Sequence, residues 1–203
     1  MSNEQRTEPF SDQLEAWLKG RQPKTLASLD KVFGDKSFAI TFLVLMIFPA
    51  LPLPTGGVTH VFEIIVMLLC LEMVVGLRTP WLPEKWKHMQ LGKALTGKVI
   101  PTMLRWIRWF EKRSSPRGRW IFGLPLASRL TGLIVLVLTL AAFLAPPFSG
   151  LDTLPALGVV IISLAVILDD LLMLVIGAVV GAVGIALTVL LGEVIVQSSR
   201  HFF

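Results

Sequence analysis

The chain has 203 residues, 54% of them hydrophobic and only 16% charged, with a mean hydropathy of +0.71. A water-soluble domain of this size cannot cover that much apolar surface, so the composition points to a bilayer as part of the solvent. The formal charge of +5 does not mark a nucleic-acid binder, because the excess sits in one segment between apolar runs, where Lys and Arg are expected on the cytoplasmic side.

Residues 1–37 are polar and mixed in charge, with no short apolar stretch before a small-residue cleavage site, so no cleaved signal peptide is expected. Within them "SDQLEAWLKG" predicts a short amphipathic helix. Ser11 or Asp12 would cap it, Leu14, Trp17 and Leu18 would share a face, and Gly20 would end it. A second piece, "TLASLDKVFG", puts Leu26, Leu29 and Phe33 on one face. Both are expected as surface helices near a membrane.

Residues 38–77 form the first apolar unit. Phe38–Phe48 is too short to span, since a crossing needs about 20 apolar residues. It is followed by a break containing Pro49, Pro52, Pro54, Thr55, Gly56 and Gly57, and then by Val58–Leu77, which is long enough to cross. Cys70, the one cysteine, lies in this limb, so the chain can form no internal disulfide or thiolate metal site, and a small core residue is expected.

In residues 78–120, Arg78–Arg119 holds eleven Lys/Arg against Glu84 and Glu111, which places the segment in the cytoplasm. "GKVIPTMLRWIRWFEKR" sets Leu104, Ile107 and Phe110 on one face, Arg105, Arg108 and Lys112 on another, and Trp106 and Trp109 between them. An interfacial amphipathic helix in the headgroup region fits that pattern.

Residues 121–203 repeat the theme. Arg129–Ala145 is a full-length limb, and the break "APPFSGLDTLP" contains Pro146 and Pro147. Then come Ala156–Leu168, the pair Asp169 and Asp170, and the uncharged Leu171–Leu191. Pro49 to Glu72 and Pro146 to Asp169 are both 23 residues. That common offset suggests two broken-helix repeats, a form common in transporter folds.

The stretch "FPALPLPTGGVTHVFEIIVMLLCLEMVVGLRTPWLPEKWKHMQL" resembles the signature region of the ExoD proteins of exopolysaccharide synthesis. It has an apolar limb, a proline-rich break, a second limb, and the element Pro80, Trp81, Leu82, Pro83 before a basic stretch. "PALGVVIISLAVILDDLLMLVIG" resembles the family's second half. The likeness covers roughly residues 10–195. Leu171 stands where the family pattern has a glycine, and His60 with Glu63 makes the limb more polar than is usual there. The resemblance implies an integral membrane protein associated with exopolysaccharide production and stress tolerance.

Three features are candidates for function. Unpaired backbone is not tolerated against lipid, so each break is either re-entrant and lined by protein or water, or a tight turn outside the membrane. The shortness of the first limb favours the re-entrant form, in which the helix starting at Val58 would offer its positive end to an anion. Second are the acids. Glu63 and Glu72 are nine residues apart and point to opposite faces, whereas His60 and Glu63 share one. Glu72, Asp169 and Asp170 are candidate acidic sites, with snorkelling or a plain loop as the alternative. Third, Gly177, Gly181 and Gly184 make a narrow face for another helix of this chain or of a second copy.

No metal-spaced His/Cys cluster, phosphate loop or nucleophile elbow occurs, so no catalytic residue, cofactor or metal is expected and the chain is read as a non-enzyme. The expectation is an all-α integral membrane protein of the bacterial inner membrane, multi-pass, with two broken-helix repeats and an interfacial helix. Its expected partners are membrane lipids, a second copy and the polysaccharide synthesis machinery. Two roles fit: a transporter-like protein with a site between the breaks, or a non-catalytic scaffold or assembly factor.

Overall fold

The structure, a computed structural model, describes residues 9–25, 28, 32–51, 58–77, 79–81, 97, 100–114, 118–145 and 149–202. Its helices are α1 (Phe10–Lys19), α2 (Ser37–Met46), α3 (Val58–Val75), α4 (Ile100–Glu111), α5 (Arg119–Phe122), α6 (Pro125–Leu144), α7 (Thr153–Leu168) and α8 (Leu171–Phe202). Pro52, Pro54, Thr55, Gly56, Gly57, Pro146 and Pro147 lie outside the described residues.

The short helices α2 and α7 form the centre. All ten residues of α2 are buried, as are most of α7. They run antiparallel, because Lys36, just before α2, reaches the carbonyl of Ile167 at the end of α7. α3 and α6 form a second antiparallel pair, in which Gly132 faces Met73 and the ring of His60 lies 5.2 Å from that of Phe143. α8 packs along α7. The 23-residue offset would overlay α2 on α6 and α3 on α7, yet α2 has 10 residues and α6 has 20. The contacts instead pair α2 with α7 and α3 with α6, and join the short α7 to the long α8.

Glycines set the α7–α8 seam. A Cβ on Gly158 would lie 2.8 Å from the carbonyl oxygen of Gly177 and from the Cα of Gly181, and one on Gly184 would lie 2.5 Å from Pro155. The small-residue face of α8 is therefore used inside this chain, mainly against α7, with Gly181 also meeting Leu138 of α6. The helices approach closely only because these positions carry no side chain.

The long helices turn apolar stripes outward. On α3 these are Val61, Ile64, Leu68, Leu71 and Val75. On α6 they are Leu126, Leu130, Leu133, Val137, Leu140 and Leu144. α8 does the same from Leu172 to Leu191. Pro125–Leu144 and Leu171–Leu191 are each long and apolar enough to cross a membrane. Exposed stripes of this extent are not left in water by a stable soluble protein.

Two local expectations change. Ser11 does not cap α1 but lies inside it and is buried. Its N–H (3.0 Å) and hydroxyl (2.5 Å) donate to Glu111 of α4, so the acid that satisfies the start of α1 comes from a distant helix. The apolar face of α4 is also spent within the protein. Ile100, Leu104 and Ile107 are buried, while Trp106 is 60% exposed. The physical reason is that α1, with Phe10, Leu14 and Trp17 buried, packs against α4, whose Ile107 and Phe110 also face α2 and α7 across a cavity.

Candidate functional site

The residues that flank the two breaks meet at one end of the bundle. Phe48, after α2, stacks at 5.6 Å on Phe62 of α3. Phe143, at the end of α6, meets His60 of α3. Asp152, just before α7, is close enough to Glu63 to act on it through space. Pro49 lies in the turn that follows α2, and Ser149 is at the described edge of the second break.

Glu63 is the centre of this group. It is 0% exposed. Three residues before it on the same face, His60 Nδ1 stands 2.8 Å from Glu63 Oε2. The tautomer that carries its proton on Nδ1 donates to that oxygen. Glu63 Oε1 is buried with no hydrogen-bond partner among the described residues. Leaving one buried carboxylate oxygen unmatched costs about 1–3 kcal/mol, more when the group is charged. A fold that keeps it is holding an unused acceptor in an apolar interior.

The other acids are spent. Glu72 accepts the backbone N–H of Trp81 at 2.8 Å, so it anchors the Pro80–Trp81 element to α3. Asp169, with φ of 55°, makes the left-handed turn between α7 and α8 and takes Lys36 Nζ at 3.0 Å. Its carbonyl accepts Gly118 N–H. Asp170 caps α8 by accepting Leu172 N–H (2.9 Å) and Met173 N–H (3.4 Å) on Oδ1, and it accepts the Ser114 hydroxyl on Oδ2 (2.8 Å). These contacts pin the basic segment to the turn. Glu63 and Glu72 point to different places along α3, as their spacing requires.

Several contributors were invisible in the sequence pattern. Asp152 reads as an ordinary loop acid, and Phe143 as one more apolar residue of a uniformly apolar limb. Gly158 carries the α7–α8 contact without belonging to a glycine repeat. No group of three His, Cys, Asp or Glu placed to hold a metal occurs among the described residues.

The sequence profile of the family described as "Exopolysaccharide synthesis, ExoD" matches residues 10–190. An uncharacterized protein of Synechocystis is 27% identical over 180 residues, covering 88% of this chain and 80% of its own. Protein ExoD of Rhizobium meliloti is 26% identical over 155 residues, covering 73% of this chain and 62% of its own. No solved structure matches.

Proposed function

We propose that this chain, which belongs to the ExoD family, is a multi-pass protein of the bacterial inner membrane that serves exopolysaccharide synthesis or export through a binding site between its two helix breaks. The observation that carries this reading is the buried Glu63 with its unmatched Oε1, paired with His60 where the flanks of both breaks converge. Ionisable groups in membrane interiors are costly and mark pathways or ligand sites.

The level of Pro155 supports the re-entrant form for the second break. Pro155 lies level with Gly184 of α8, and the outward apolar stripe of α8 continues through Leu187 and Leu190 to Leu191. Those seven further residues add about 10 Å of lipid-facing helix beyond the second break. In this reading the second break, which leads into α7 just before Pro155, lies within the hydrocarbon layer, where only a protein or water lining can satisfy its backbone. The chain itself does no covalent chemistry in this reading; it binds and passes or presents a substrate.

A scaffold role is the second reading. It draws on the complete burial of α2 and the close glycine seam of α7 and α8, which describe a rigid core. Glu63→Gln separates the two. Polysaccharide output measured in cells that depend on this protein should fall about tenfold or more, the worth of one charge-assisted contact, with the protein still folded in the membrane. Unchanged output with Glu63→Gln would leave the scaffold reading standing.

A further inference from the structure

At the end of the bundle opposite Glu63, the close of α3 and the start of α6 enclose a half-open cavity of about 300 Å³, whose walls include Met73, Gly76, Leu77, Leu124, Ser128 and Arg129. Gly76 adopts φ of 108°, and a Cβ there would lie 2.9 Å from Nη2 of Arg129 and 3.5 Å from its Nε. The Nε–Nη2 edge of the guanidinium thus faces Gly76 in the cavity wall, where a side chain at residue 76 would obstruct it. Among the described residues it has no carboxylate partner: Glu72 is taken by Trp81, Asp169 by Lys36, and Asp170 by Ser114 and the start of α8.

The start of α6 faces the same space. It begins at Pro125, which has no N–H, and the Ser128 N–H donates to the Leu124 carbonyl at 3.3 Å, so what this end supplies is the positive end of a 20-residue helix. Ser128 adds a hydroxyl to the wall. Just outside, Val75, Leu77, Leu126 and Leu130 present exposed apolar surface. A planar cation, a hydroxyl and a positive helix end suit a phosphate, and the apolar flank suits hydrocarbon.

We propose that this cavity binds the phosphate of a membrane lipid, with Arg129 as its principal ligand and the acyl chains lying along the exposed α3–α6 face. Arg129 is one turn into α6, the level at which a headgroup meets the hydrocarbon. The placement of the acyl chains rests on the membrane reading above, whereas the phosphate contact is independent of Glu63.

The test uses the full chain in nanodiscs of phosphatidylcholine with a minor share of phosphatidylglycerol, and counts the phosphatidylglycerol molecules retained after mild extraction by native mass spectrometry. Arg129→Gln should lower retention about tenfold, and Arg129→Lys should lose less, since it keeps the charge without the planar fork. Ser128→Asp, which puts a negative charge into the cavity and leaves Arg129 in place, should also lose the lipid. Arg105→Gln, an exposed cation on α4 outside the cavity, should retain it. Wild-type retention in Arg129→Gln and Ser128→Asp, or equal loss in Arg105→Gln, would overturn the site. Displacement of the lipid by millimolar inorganic phosphate would overturn the lipid as ligand and assign the pocket to a free phosphate compound. Glu63→Gln should retain the lipid, so this outcome and the fate of the break-end site are read separately.

Discussion

The two ends of this bundle both hold buried acids, and they treat them in opposite ways. At the basic end Asp170 is 4% exposed, and both its oxygens are matched, by two backbone N–H groups and a serine hydroxyl. At the break end Glu63 is 0% exposed, with one oxygen matched and the other without a partner among the described residues. The same chemical group is a strut in one place and an open acceptor in the other. What separates them is geometry: Asp170 stands at a helix start, where orphan N–H groups abound, while Glu63 stands inside a helix whose own backbone is already paired.

That contrast is broken most severely by exchanging the consequences. Glu63→Gln should abolish most polysaccharide output and leave the melting temperature in detergent where it was. Asp170→Ala should do the reverse. It strips the α8 cap and strands the Ser114 hydroxyl, and should cost about 2 kcal/mol, seen as a lowered melting temperature with output falling only as far as the folded fraction does. If Glu63→Gln melts early and Asp170→Ala does not, the assignment of strut and acceptor is inverted.

A finer cut separates the partners of the strut. Ser114→Ala removes one of the three bonds to Asp170, and Lys36→Met removes the pair to Asp169 together with the bond to the Ile167 carbonyl. Each should cost about 1 kcal/mol, and because both act on one turn their double variant should lose less than the sum. Strict additivity would mean that the two contacts hold separate structures. At the break end the matching test is proximity: cysteines at Thr55 and Ser149 should form a disulfide in membranes, and failure to do so under mild oxidation would part the two breaks.

Much of the scaffold could be read from the sequence. The limbs expected at Phe38–Phe48, Val58–Leu77, Arg129–Ala145 and Ala156–Leu168 appear as α2, α3, α6 and α7 within a few residues, because proline and glycine punctuate otherwise continuous apolar runs. The pairing of His60 with Glu63 followed from their spacing of three. What could not be read is which way each helix faces. A limb such as α6 is apolar all round, so no periodicity reveals that Val135 is buried and Val137 is exposed. For the same reason the amphipathic α4 suggested a lipid surface. Its apolar face suits a membrane and a protein core equally, and the core took it. The roles of Glu72 and Glu111 depend on Trp81 and Ser11, contacts made across the fold that local patterns do not encode.

A third acid completes the series, because it is neither strut nor reserve. Glu15 on α1 sits at the surface between Lys19, one turn along at 2.6 Å, and Arg108 of α4. The hydrogen bond from Lys19 is the larger cause and Arg108 the next, and together they hold the Glu15 carboxyl below the usual carboxylate range. The folded value is depressed, so the folded state favours the ionised form, and the gain is fully present above the unfolded carboxylate pKa of about 4.3. It is lost as the pH falls through the lower folded value. Melting curves of wild type and Glu15→Gln should therefore differ by a small constant amount at neutral pH and converge on acidification below about pH 4. Molar salt should erase the difference, since both charges face water and are screened. A difference that survives both acid and salt would show that Glu15 acts by packing α1 onto α4 rather than by its charge.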